Sequence, residues 1–244
     1  MEYAKGVKGE IDQRPRRFYE QVSVAKGEAG WGVMLDGRPL RTPEKNLLAF
    51  PAEALAGVIA DEWRAQAERI DLQSMFNTRL ANVAIDRTPA ARAELAVEAA
   101  KYAETDLVCH LAEGPAVLRD RQEAAWAPLR NWAAETLGVN LQPVAGIVPR
   151  AQPGESIEAV RQHAAGLDDF RLSGLLHGVG LLGSAVLGLA VERGRVSAAE
   201  AYELSRIDEA FQAAQWGEDD EAVRRADRHR AEARALDLWF GAIR

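Results

Sequence analysis

Alternation of apolar and polar positions with a period of two marks the first ordered stretch. Phe18, Glu20, Val22 and Val24 alternate with Tyr19, Gln21 and Ser23, a mix of aromatic and β-branched residues that favours a strand. After a loop at Gly27 to Gly30, Trp31, Val33 and Leu35 alternate with Gly32 and Met34 and run into Asp36-Gly37. An Asp-Gly pair behind an alternating run predicts a hairpin, because both turn positions take positive φ. The return strand is Arg38 to Arg41, with Pro39 placing it at a sheet edge. A turn at Thr42 to Asn46 and a short strand at Leu47 to Phe50 complete a small antiparallel meander.

From Pro51 the period becomes helical. Leu55, Ile59, Trp63 and Ala67 recur every four residues, with Val58 beside them. Asp71 to Asp86 fits either period. Thr88-Pro89 predicts a helix start, with Thr88 as N-cap and Pro89 at the first position. That helix runs through Leu95, Ala99 and Tyr102 towards Leu107 and Leu111. Another spans about Val117 to Leu137, stops at Gly138, and is kinked or split by Pro128. Val139 to Gly154 carries Pro143, Pro149 and Pro153 and reads as a long connection, followed by a short helix at Glu155 to Leu167.

An apolar helix is expected from about Phe170 to Val191. Ser197-Ala-Ala-Glu200 is a capping box that opens a helix through Leu204, Ile207 and Phe211 to Trp216-Gly217. The last helix begins in the acidic run Glu218 to Glu221, and its apolar stripe is Val223, Ala226, Ala233, Leu236 and Phe240. Acids first and arginines later suit the helix dipole. Strands segregated from helices predict an α+β chain: a small N-terminal antiparallel β-meander domain and a larger, mainly helical C-terminal domain. The expected division is a mobile arm at residues 1–15, a β-rich domain with one helix at 16–88, and a helical domain at 89–244.

Composition narrows the function classes. The chain has 244 residues, enough to bury roughly 70% of its unfolded surface without staples. It carries 30 Lys and Arg against 37 Asp and Glu, a formal net charge of -7, and no basic tract, so no nucleic-acid footprint is expected. A single cysteine, Cys109, excludes an internal disulfide and a Cys-rich zinc site and fits a reducing compartment. Met1 to Arg17 mixes Glu2, Glu10 and Asp12 with its cations and has no apolar run, unlike a secretory or transit peptide.

Three features carry candidate chemistry. Leu172 to Val191 is uncharged over a length that could span a bilayer. His177, Ser173 and five glycines dilute it, however, and a helix apolar on all sides is equally the centre of a core, so no integral membrane segment is expected. Gly178, Gly180 and Gly183 spell a G-x-G-x-x-G motif, which would make the chain an NAD(P)-binding oxidoreductase if a strand preceded it and a second strand with a terminal acid followed. The third feature is the carboxylate group Glu203, Asp208, Glu209, Glu218, Asp219, Asp220 and Glu221, which has no histidine at ligand spacing. A solvated face and a helix N-terminus account for it, and neither a metal nor a cofactor is expected. Cys109 reads as a small buried hydrophobe, since its neighbour His110 would point away from it on a helix. His177 reads as a core residue, His229 as solvent-facing, and His110 and His163 as members of ordinary amphipathic helices. Trp216 sits beside a helix-ending glycine among acids, either an exposed interface anchor or a cap on the helix-helix core.

Several short motifs occur in a distinctive order: Arg17-Phe18-Tyr19, Leu35 to Pro43, Glu62-Trp63, Thr78 to Asn82 with Ala84-Ile85-Asp86, and Tyr102-x-x-Thr105-Asp106-Leu107. Leu204-Ser205-Arg206-Ile207-Asp208-Glu209, Gln212 and Gln215-Trp216-Gly217-Glu218-Asp219 with Glu221-Ala222 close the series. With these the chain, from Arg16 onward, resembles the F1-ATPase α-subunit assembly chaperone family of mitochondria and α-proteobacteria. The resemblance implies a small β-containing domain followed by a helical one, and a chaperone rather than an enzyme. Such a chaperone binds the free F1 α subunit and prevents its aggregation without hydrolysing nucleotide. It implies a cytoplasmic location in bacteria and the mitochondrial matrix in eukaryotic relatives. It also implies an important acid in the C-terminal segment: Glu209 is the best match and Asp208 the near alternative, with Gln212, Trp216, Glu218 and Asp219 as companion partner-binding residues.

Overall fold

The computed structural model describes residues 13–146, 150–217 and 219–244. Its antiparallel sheet is built on β1 (Val22–Gly27), β2 (Gly30–Leu35), β3 (Arg38–Pro39) and β4 (Ala49–Phe50). β2 is central: β1 pairs along its whole length, from Val22 opposite Leu35 to Gly27 opposite Gly30, while β3 and β4 share its other side. The Asp36-Gly37 turn forms as expected, with φ of 48° and 75°. The Asp36 carboxylate accepts from the amides of Gln21 (2.8 Å) and Glu20 (3.1 Å), and these backbone donors hold it below the usual carboxylate range. The first strand starts later than the alternation suggests, because Arg17 to Gln21 is stapled to the far end of the following helix instead. Arg17 donates to the carbonyls of Tyr19, Gln66 and Glu20, and the Tyr19 hydroxyl donates to the Trp63 carbonyl at 2.7 Å. Of the arm expected at residues 1–15, residues 1–12 lie outside the described residues; the Pro15 carbonyl accepts from the Ile70 amide at 2.9 Å.

Helix α1 (Glu53–Arg64) buries Leu55, Ile59 and Trp63 against the sheet and ends before Ala67, which is exposed. The ambiguous stretch resolves into a 3-10 turn at Leu72–Ser74 and helix α2 (Phe76–Asp86). Residues 16–88 therefore hold two helices, not the single one expected. Glu62 nucleates α2: its carboxylate accepts from the Asn77 and Thr78 amides and the Thr78 hydroxyl, each at 2.7 Å.

Helix α3 (Thr88–Glu104) begins one residue earlier than a Thr88 cap requires. The Thr88 hydroxyl lies instead between the Val83 carbonyl in the last turn of α2 (3.2 Å) and the Ser173 hydroxyl (2.7 Å), so it ties α3 to a distant helix and is not its N-cap. α3 does not continue to Leu111. A 3-10 turn at Leu107–Cys109 and strand β5 (His110–Leu111) follow, and β5 pairs in parallel with β6 (Val144–Ala145), inside the stretch expected to be a plain connection. The cause is Asp106, a fully buried acid whose carboxylate accepts from the Val108 amide at 3.1 Å and from the Val186 amide, eighty positions on, at 3.0 Å. Helix α4 (Ala116–Leu137) passes through Pro128 as one helix and ends at Gly138 in the left-handed region.

After α5 (Gly154–Gly166), the apolar run forms two helices, not one. α6 (Asp169–Leu182) stops at Gly183 (φ 64°), and Ser184 starts α7 (Ala185–Glu192) by accepting the Leu187 amide at 3.0 Å. All eight residues of α7 are buried. Among the described residues no helix is long and apolar enough to cross a membrane. The same break corrects the dinucleotide reading. Gly178 and Gly180 lie inside α6 and Gly183 ends it, so no strand leads into a phosphate loop; a Cβ on Gly178 would meet Leu236 at 3.4 Å. The glycines serve helix packing. α8 (Ala198–Ser205), α9 (Ile207–Trp216) and α10 (Asp220–Ile243) complete the chain, and α10 lays Ala233, Leu236, Trp239 and Phe240 on α6. A small antiparallel sheet followed by a helical body makes this an α+β fold.

Candidate functional site

The capping box at Ser197 works as predicted at its first half: the Ser197 hydroxyl accepts the Glu200 amide at 3.0 Å. The helix it opens does not reach Trp216. At Arg206 the backbone leaves helical values (φ -112°, ψ 20°), and α9 sets off separately. Ile207 is the one α9 side chain that is buried, and with Asp208 it fixes the helix to α4. The Asp208 carboxylate accepts from the amide nitrogen of Gln122, a fully buried residue whose own carbonyl oxygen accepts the Ala112 amide at 2.8 Å. Burial pushes the Asp208 carboxyl up, the Gln122 hydrogen bond opposes this, and neighbouring Glu209 adds to the rise.

Gly217 (φ 84°) reverses the chain, and Asp219 caps α10 by accepting the Ala222 amide at 3.1 Å. The reversal leaves an open groove of about 470 Å³ between α9 and α10. Glu209, Gln212 and Trp216 line it from α9, and Val223, Arg225 and Ala226 from α10. Trp216 is 78% exposed, the most exposed large apolar side chain among the described residues. It therefore does not cap the helix-helix core. Glu209 is half exposed and lies 3.5 Å from Arg206. At one end Arg230 grips Glu203 at 2.7 Å, and this hydrogen bond raises the guanidinium pKa further.

The predicted partner residues thus divide. Glu209, Gln212, Trp216 and Asp219 line one groove, Asp208 faces the protein body, and Glu218 lies outside the described residues. Sequence reasoning missed the cations that line the groove, Arg206 at the start of α9 and Arg225 and Arg230 on the α10 wall; only the Arg206–Glu209 spacing of three was a local sign.

Elsewhere the reactive side chains are committed to structure. Cys109 is fully buried, and burial, reinforced by Asp106, pushes its thiol up to about 12. Among the described residues no group of three or more His, Cys, Asp or Glu is placed to hold a metal. His163, expected on an ordinary amphipathic face, donates from Nε2 to the buried Glu192 carboxylate at 2.9 Å. His177 packs edge-on against Phe76, with ring centres 4.6 Å apart. His229 is half-buried beside the Tyr202 ring, not solvent-facing.

Comparison with known proteins gives a consistent set of likenesses. Residues 16–134 match the family described as ATP12 chaperone protein. The crystal structure of Atp12 from Paracoccus denitrificans superposes with a TM-score of 0.88 at 43% identity, covering 94% of this chain and 99% of that one. A point mutant of the same P. denitrificans Atp12p gives 0.87 at 42% identity, covering 94% and 98%. Mitochondrial protein atp12 of Schizosaccharomyces pombe is 25% identical over 214 residues, 83% of this chain and 74% of that protein.

Proposed function

Because this chain belongs to the ATP12 chaperone family, we propose that it is an assembly chaperone for the F1 sector of ATP synthase, holding the free α subunit until the β subunit replaces it. The observation that carries the reading is the groove between α9 and α10, whose lining combines alanines and Val223, the 78% exposed Trp216, and charged side chains on both walls. An unassembled subunit exposes apolar surface that drives aggregation, and a holder need only cover it reversibly. Trp216 supplies contact area, and Glu209 selects orientation by pairing with a client cation. Covering and releasing a surface involves no bond chemistry, so the holding step requires no nucleotide hydrolysis. The place of action that goes with this reading is the bacterial cytoplasm.

The test is Glu209→Lys. Its side chain is half exposed and its one ion pair is a long surface contact, so the thermal melt should stay within a degree or two of wild type. Affinity for purified free α subunit should fall by about 2 kcal/mol or more, roughly thirtyfold in Kd. Full α-subunit binding and full aggregation suppression by this variant would remove Glu209 from the interface, and wild-type protein that leaves α-subunit precipitation unchanged would refute the function itself.

A further inference from the structure

The two N-terminal motifs, Arg17-Phe18-Tyr19 and the stretch beginning at Leu35, meet in space around one pocket of about 480 Å³ that shares no residue with the α9–α10 groove. Its floor is apolar: Tyr19 and Leu35 are buried and Leu40 is partly so. Phe18 stands over the floor, 70% exposed and held edge-on to the Tyr19 ring at 5.3 Å.

The polar groups there are not equivalent. The one carboxylate, Asp36, is already occupied by the amides of Glu20 and Gln21. Arg17 is likewise spent on three carbonyls. Arg38 is exposed and makes no hydrogen bond or ion pair among the described residues, and Arg41 is exposed with only Nη1 engaged, on the Lys45 carbonyl at 2.8 Å. What the pocket offers a visitor is therefore an aromatic and aliphatic seat with two available guanidinium groups beside it. Aromatic residues and arginine are the side chains that most often anchor protein interfaces, and a guanidinium matches a carboxylate in a two-pronged pair.

We propose that this pocket is a second recognition site, which takes an extended acidic–apolar segment of a client polypeptide. An apolar side chain of the segment rests on Tyr19, Leu35 and Leu40 beneath Phe18, and its flanking carboxylates pair with Arg38 and Arg41. Recognition runs through side chains. The neighbouring edge strand, β3, contains Pro39, whose nitrogen carries no proton for a paired strand to accept. With the α9–α10 groove as the first contact, a second one makes the hold bivalent, so each contact can stay weak enough for release. The inference rests on the proposed chaperone role for the identity of the client, not for the existence of the site.

A fluorescent ten-residue peptide alternating leucine and glutamate is the probe, with a lysine-for-glutamate version as its control. The glutamate peptide should bind the full-length protein, weaken as salt is added, and weaken at least tenfold with Arg38→Glu. The lysine peptide should not bind. Arg38 is a strand residue whose side chain is solvent-exposed and makes no hydrogen bond among the described residues, so its variant should melt like wild type; Phe18→Ala serves as the second variant and should lose binding with the charges intact. Failure of the glutamate peptide to bind, equal binding by Arg38→Glu, or equal binding of the lysine peptide would overturn the proposal. Free α subunit is then titrated against wild type and Arg38→Glu, with at least fivefold weaker binding by the variant expected. Wild type that takes the peptide but ignores the α subunit would leave the pocket standing and sink the client assignment.

Discussion

Glu192 ends α7 with its side chain completely buried, between His163 at 2.9 Å and Arg171, whose Nε donates to it at 2.9 Å. Burial alone would push this carboxyl up; the hydrogen bonds from His163 and Arg171 outweigh it, and the pKa lies below the usual value. The sign of the linkage follows. A carboxyl depressed in the folded state binds protons less readily than in the unfolded chain, so its stabilisation is present above about pH 4.5 and fades as pH falls through that range. Glu192→Gln keeps the shape and one acceptor but leaves a partly buried guanidinium short of its counter-charge. We expect a loss of about 2 kcal/mol at pH 7, or roughly 4–8 °C in Tm. The gap between the two proteins should narrow in melts run below pH 4. A gap that is constant with pH would mean that the charge on Glu192 contributes nothing.

The contrast between Asp208 and Glu209 shows what one position along a helix does. Neighbours on a helix point about 100° apart, which turns Asp208 onto Gln122 and Glu209 into the groove. Both acids belong to the motif legible in the sequence, but their division of labour follows from where α9 rests on α4.

At the scale of elements, the meander, the Asp36-Gly37 turn, the Gly138 stop and the start of the last helix were all readable from local chemistry. Each depends on residues within a turn of one another. The misreadings share a cause. Thr88 leaves its cap for Ser173, and Asp106 stops the α3 pattern by holding the start of α7; both are pairings more than seventy positions apart. The break between α6 and α7 was written locally, in the Gly183-Ser184 cap, but it was hidden in an unbroken apolar run with other glycines. One of those glycines gives a prediction at this scale. Gly188 sits inside α7, where alanine would gain about 1 kcal/mol of helix propensity. A Cβ there would lie 2.5 Å from Cγ1 of Val179 and 3.2 Å from its backbone nitrogen, so the α6 backbone would have to retreat. Overpacking of that kind costs about 1–3 kcal/mol and outweighs propensity. Gly188→Ala should therefore lower the melting temperature by a few degrees. The same substitution at Gly57, where nothing lies within 4 Å, should raise it slightly.

Across the whole molecule, the sheet and the helical body share a single hydrophobic core. Phe50 of β4 stacks against Phe170 of α6 at 5.8 Å, Phe170 stacks against Trp239 of α10 at 6.0 Å, and α10 also packs on α1 and α2. The Trp239 indole donates to the Phe170 carbonyl at 3.1 Å, and the Thr88–Ser173 hydroxyl pair crosses the junction drawn near residue 88. Cutting there would expose Phe50, Phe76 and the packed face of α1 on one piece and Trp239 with Phe240 on the other. Each fully buried aromatic forfeits about 1.5–3 kcal/mol when returned to water, and these side chains belong to the one core that both pieces share. We propose that the division at residue 88 is one of secondary-structure content, and we expect the two parts to fold as one cooperative unit. The intact chain should melt in one transition, with far-UV circular dichroism and tryptophan fluorescence coinciding. A separately expressed 16–88 fragment should give no cooperative melt, and recombining it with 89–244 should restore one. Two resolved transitions in the intact protein, or a fragment that unfolds cooperatively by itself, would establish independent domains instead.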